Sequence, residues 1–226
     1  MFAHWLFVPL KDPEAGKRHQ TFGEEIANSA SHAVGFLAVL VGIPFLLRAA
    51  AKHGLISWVV SVMIFSGALL MVYFASMLYH AFPRGQAKHT FRILEHMAIY
   101  VLIAGTYTPF CLGVLRGTLG YWLFSVVWCL ALLGIILKGL GGVNYPRLST
   151  TLYLLMGWLG IIAAVPLWVR MPHMGFFWIV TGGLAYTLGV VFFTYDYKWP
   201  YSHFVWHLFV IAGSTCHYFA VLWYAR

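Results

Sequence analysis

Charge is what this chain lacks. Only 9% of its 226 residues are Asp, Glu, Lys or Arg, and the acids number six. Soluble domains carry about a quarter of their residues as charges, so a soluble globular class is excluded. Cysteine is scarce too. Cys111, Cys129 and Cys216 all fall inside apolar runs, with no CxxC spacing. That excludes a disulfide framework and a cysteine-rich metal site, and predicts small buried core residues. No basic stripe is interleaved with base-stacking aromatics, so the net charge of +8 does not point to nucleic acid. No cleavable leader is expected, because the apolar run Trp5–Leu10 is too short and has no basic flank.

What the chain has is apolar length. Hydrophobic residues make up 62% of it. A membrane-crossing helix needs roughly 20 of them in succession. Seven stretches qualify: Ile26–Leu47, Leu55–Tyr79, Met97–Leu115, Gly120–Leu137, Leu148–Val169, Met174–Tyr195 and Phe204–Ala225. The expectation is an all-α polytopic membrane protein, a seven-transmembrane-helix bundle with short connections. Residues 1–23 read as a cytoplasmic or interfacial tail and residues 24–226 as one membrane domain. On one side of such a bundle fall Lys11, Lys17, Arg18, Arg84, Lys88, Arg92, Lys138, Arg147 and Lys198; on the other fall Arg48, Lys52, Arg116, Arg170 and Arg226. Basic residues favour the inner side, which puts the N-terminus in the cytoplasm.

The fourth, fifth and sixth stretches contain no Asp, Glu, Lys, Arg or His between their ends. Intramembrane ionisable chemistry is confined to the other four. Counting spans places one end of each at a common level, near the cytoplasmic face. The first stretch starts with Glu25, Asn28 and His32, the second ends at Ser76 and His80, the third starts at Glu95 and the seventh at His203 and His207. His203 and His207, four apart, project from one helix face about 6 Å apart along the axis, a ready chelate for a borderline-soft ion. His80, His203 and His207 supply three nitrogen ligands. Three protein ligands with one open position is the pattern of catalytic zinc, which lowers the pKa of water to about 7. Glu95 is placed to take and return the water proton, and Ser76, one turn before His80, to bond the water, an imidazole or a substrate oxygen. Glu95 is also near Arg84, Lys88 and Arg92, where it could form an interfacial ion pair. Glu25, Asn28 and His32 lie on one helix face as a brace or gate for the site, or as a capped helix entry. His96 follows Glu95 by about 100° and is not expected to face the same site. His217 lies roughly 21 Å beyond His203 along the axis, too far to ligate; it lines a cavity or, the favoured reading, bonds across helices.

Several patterns together carry a family resemblance. They are E-x2-N-x3-H at Glu25, Asn28 and His32, S-x3-H at Ser76 and His80, the run Glu95–Pro109, and H-x3-H at His203 and His207. In order and spacing they resemble the bacterial hemolysin III proteins of the progestin and adipoQ receptor family, from about Glu24 to the C-terminus. The resemblance implies an adiponectin-receptor-like seven-span bundle in a bacterial cytoplasmic (inner) membrane, N-terminus inside. It implies intramembrane Zn2+ held at His80, His203 and His207. The family's acid at the third-span position is normally Asp, and here Glu95 stands there. The wider superfamily, which includes alkaline ceramidases, implies a hydrolase of lipid amides or esters, with membrane lipids as partners. Two other functions are open: a non-enzymatic membrane sensor stapled by zinc, and a hemolysin-type cytolytic protein. Three spans without an ionisable group argue against a charge-lined monomeric pore.

Overall fold

The computed structural model describes residues 18–52, 55–141 and 145–225; among these every regular element is helical. The elements are α1 Phe22–Ala51, α2 Ile56–Ala81, α3 Gln86–Leu112, α4 Thr118–Gly139, α5 Pro146–Trp158, α6 Ala164–Arg170, α7 His173–Thr194 and α8 Ser202–Tyr224. A 3₁₀ turn, Leu159–Ala163, joins α5 to α6. Most of the expected tail, residues 1–17, lies outside the described residues.

Six helical units are long and apolar enough to cross a membrane: α1, α2, α4, α5 through α6, α7 and α8. The expected third span, α3, is 27 residues long but does not meet that standard of hydropathy. Its reason is its position. It carries Glu95, Thr106 and Thr108 on a face buried in the bundle, where polar groups find protein partners instead of lipid. It also starts three turns earlier than the hydropathy pattern predicts. Gly85, with φ 155°, precedes it in a backbone region that side chains disfavour. Glu95 therefore sits well inside a helix and not at its mouth.

The fifth expected helix is broken. Pro166 lacks an N–H, and its ring crowds the carbonyl of Ile162, which loosens the turn into 3₁₀ geometry. Lipid offers no hydrogen bonds to backbone groups freed by such a break. Tyr107 of α3 supplies them: its hydroxyl lies 3.0 Å from Met156 O and 2.6 Å from Gly157 O, and it accepts from Gly160 N at 2.7 Å. Tyr107→Phe is expected to lower stability by about 1–3 kcal/mol, read as a drop in Tm of the purified protein.

Helix α2 packs between α1 and α3, α3 also packs on α4, and α8 packs on α1 and α7. The α2–α3 approach is close. A Cβ at Gly105 would stand 2.6 Å from Ala68 Cβ, so only glycine lets these backbones meet. That contact brings the end of α2 beside the early turns of α3. The α5–α6 unit packs sparsely and leaves a cavity of about 280 Å³ between α3, α5, α7 and α8. Of the cysteines, Cys111 is buried as expected, whereas Cys129 is exposed on the outer face of α4 and Cys216 is half-buried.

Candidate metal centre

The alternating helix directions bring the first turns of α1 and α8, the last turn of α2 and the third turn of α3 to one level. There His80, Glu95, His203 and His207, all buried, place one donor atom each within 4.8 Å of one another. The imidazole centroids stand 5.0 Å (His80–His203), 5.1 Å (His80–His207) and 4.7 Å (His203–His207) apart. Glu95 Oε1 is 3.9 Å from His80 Nε2. Donors around tetrahedral zinc stand about 3.3 Å apart, so small side-chain movements close the set.

The hydrogen bonds show which nitrogens are available. His80 Nδ1 lies 2.8 Å from Glu25 Oε2. His207 Nδ1 lies 3.2 Å from Asn28 O and 3.1 Å from Ser31 Oγ, whose own proton goes to Asn28 O at 2.8 Å. His203 Nδ1 lies 3.4 Å from Asp196 Oδ2. At His80 the carboxylate at 2.8 Å prevails over the Asn28 amide nitrogen, 3.5 Å away, and the other partners are acceptors, so each Nδ1 carries the ring proton and each Nε2 keeps a lone pair. All three Nε2 atoms are buried without a hydrogen-bond partner. Three orphaned acceptors in one place are costly unless a cation takes them. The residues thus fit a divalent ion, with N and O donors that suit zinc among other first-row metals.

The remaining expected residues surround this group. Ser76 Oγ is buried, has no hydrogen-bond partner and faces Glu95. Glu25 bridges His80 to Lys88, whose Nζ is 2.9 Å from Glu25 Oε1. Lys88, one of the three basic residues offered as an ion-pair partner for Glu95, thus pairs with Glu25. Asn28 supplies its backbone carbonyl to His207, and its side-chain amide donates to Gln20 at 2.8 Å. His32 is no donor to the cluster. It stacks on His207 with ring centroids 3.6 Å apart, meets Tyr73 edge-on, and both of its nitrogens lack partners. Removing the carboxylate with Glu25→Ala is expected to weaken metal retention 10–100-fold, measured by competition with a chelator.

Sequence reasoning missed Ser31 and Asp196. Ser31 was discoverable: it is three residues after Asn28, on the same helix face. Asp196 sits in the α7–α8 connection, where spacing fixes no direction. Tyr201 in that connection takes φ 57°, rare for a bulky side chain, and its N–H is held by Glu24 Oε1 at 2.7 Å. The strained residue sets the entry of α8 immediately before His203. His96 does reach the same cavity as Glu95, although only Glu95 joins the donor group. His217 follows the less favoured of its two expected roles. It lines the cavity, and its Nδ1 has no partner across the helices.

The pattern is not private to this chain. Residues 20–218 match the profile of a family described as Haemolysin-III related. The chain belongs to the haemolysin-III-related family. It is similar to "Hemolysin-3 homolog" of Bacillus subtilis (strain 168), 44% identical over 204 residues, covering 90% of this chain and 95% of that protein. It is similar to "Hemolysin-3" of Bacillus cereus, 41% identical over 201 residues, 89% of this chain and 91% of the relative. A more distant likeness is to "Monocyte to macrophage differentiation factor" of Homo sapiens, 28% identical over 222 residues, 95% of this chain and 90% of the other. This haemolysin-III-related protein is a multi-pass membrane protein with helices that sit in lipid.

Proposed function

We propose that this protein is a zinc-dependent hydrolase of lipid amides or esters, with His80, His203 and His207 as ligands and Glu95 as the acid–base group. The observation that carries the reading is the clustering of three orphaned Nε2 atoms with a buried carboxylate, at a site whose Glu95 and His203 line an apolar cavity. Zinc bound there would lower the pKa of water and polarise a carbonyl. The chain's own residues do the rest. Glu25, Asp196 and the Asn28–Ser31 pair orient the imidazoles. Glu95 accepts a proton from water and returns it to the leaving nitrogen or oxygen. Ser76, facing Glu95, holds that carboxylate or a substrate oxygen in place. The apolar walls take the acyl chain, and the membrane is the source of the substrate. The N-terminus and the site face the cytoplasm in this reading.

The same four donors support a second reading. If Glu95 occupies the fourth position, the site is closed, as structural zinc sites are, and ties α2, α3 and α8 together in a sensor or regulator. Metal analysis of the purified protein, with lipid turnover measured on N-acyl sphingosine and phospholipid vesicles, separates the two. Metal with product supports the hydrolase; metal without product, and a chelator-dependent Tm, supports the staple. No metal at all ends both.

A further inference from the structure

The cavity runs from Glu95 and His203 at the donor group to His217, deep in the bundle. His32, stacked on His207 beside the donors, also lines it with unpartnered nitrogens, but the hydroxyl side chains further along are satisfied within the protein. Thr106 donates to Leu102 O at 2.8 Å and Thr187 to Gly183 O at 2.8 Å. The Tyr107 hydroxyl serves the α5 break, and Tyr186 pairs with Ser214 at 2.9 Å. His217 differs. Its residue is only 6% exposed, and its Nδ1 has no partner. The ring is held on both sides. It stacks on Tyr186 with centroids 5.5 Å apart, and a Cβ at Gly182 would come within 2.7 Å of its Nε2. Nδ1 is sealed within the protein, so Nε2, which also has no hydrogen-bond partner, is the nitrogen through which this fixed imidazole can meet a ligand in the apolar cavity.

Helical rise separates His217 from His207 by roughly 15 Å and from His203 by roughly 21 Å. An extended chain advances roughly 1.2 Å per bond, so that interval is roughly 12–17 bonds. We propose that His217 is a second recognition point in this cavity, hydrogen-bonding a hydroxyl carried far along an acyl chain whose head group lies at the His80–Glu95–His203–His207 cluster. The inference rests on the reading that the cavity holds a lipid chain. A hydroxyl both donates and accepts, so it satisfies Nε2 in either tautomer of a neutral ring.

The test is binding of octadecanoic acid and a positional series of hydroxyoctadecanoic acids to the purified full-length protein in nanodiscs. The expected result is a preference of about five- to tenfold for a hydroxyl in the distal half of the chain, the scale of one net hydrogen bond. His217→Leu should bind octadecanoic acid and flatten the preference, while His217→Gln, which keeps a donor and an acceptor, should retain part of it. Unchanged metal content and Tm in His217→Gln guard against misfolding as the cause. Equal affinity across the series in the unaltered protein overturns the proposal and leaves the lipid cavity standing. A preference that survives in His217→Leu overturns it as well. Failure of every acid to bind sinks the lipid reading itself, and the recognition point with it.

Discussion

Replacing His207 with alanine is expected to take bound zinc from about one ion per chain to none detectable. His207 is fully buried and belongs to the donor group, with Nε2 as its unpartnered nitrogen. Two imidazoles and a carboxylate remain, but His80 and His203 come from different helices and lose the common chelating face. The same change removes the ring on which His32 stacks and leaves Ser31 Oγ without its imidazole partner. A cavity and an orphaned hydroxyl add to the loss of metal, so Tm should fall as well. Elemental analysis with a thermal melt of the same preparation checks both. His207→Cys separates the effects: a thiolate ligates zinc and should restore metal without restoring the stack. Full metal occupancy in His207→Ala would remove the metal centre as proposed.

Glu95→Ala divides the two functional readings by the direction of its effect. As the acid–base group, Glu95 can be lost with three imidazoles still holding zinc. Metal content is then unchanged and lipid turnover falls about 10²–10⁴-fold. As a fourth ligand, its loss opens a closed site, so chelators strip the metal faster and Tm drops while there is no turnover to lose. Glu95→Asp refines the result. A shorter carboxylate withdraws from an oxygen now 3.9 Å from His80 Nε2 yet can still take a proton from an intervening water. Activity retained in Glu95→Asp and lost in Glu95→Ala supports the acid–base role. Turnover untouched by both substitutions would end the hydrolase reading.

Much of the site was visible in the sequence because its signals are local. His203 and His207 share a face by helical periodicity alone, and Ser76 and His80 do likewise. That His80 and Glu95 meet them followed from counting apolar stretches, since alternating helix directions return the chain to one end of the bundle. The partners of those residues were less visible. The Lys88 ammonium chose Glu25 over Glu95, and nothing in the spacing distinguishes the two. That choice depends on the rotation of α1 against α3, which sequence distance does not set. The same limit hid Asp196, placed by a connection and not by a helix period.

Composition and periodicity by themselves determined that this is a helical membrane protein and which imidazoles and acids share a depth, because lipid penalises polar groups so strongly that their few positions are informative. Tertiary packing alone decided that α3 is the polar helix enclosed by the bundle and that a cavity joins the donor group to His217. Those features arise where helices meet. They depend on which side of each helix a neighbour covers and how closely backbones approach, as Gly105 and Gly182 permit, and no single helix carries that information.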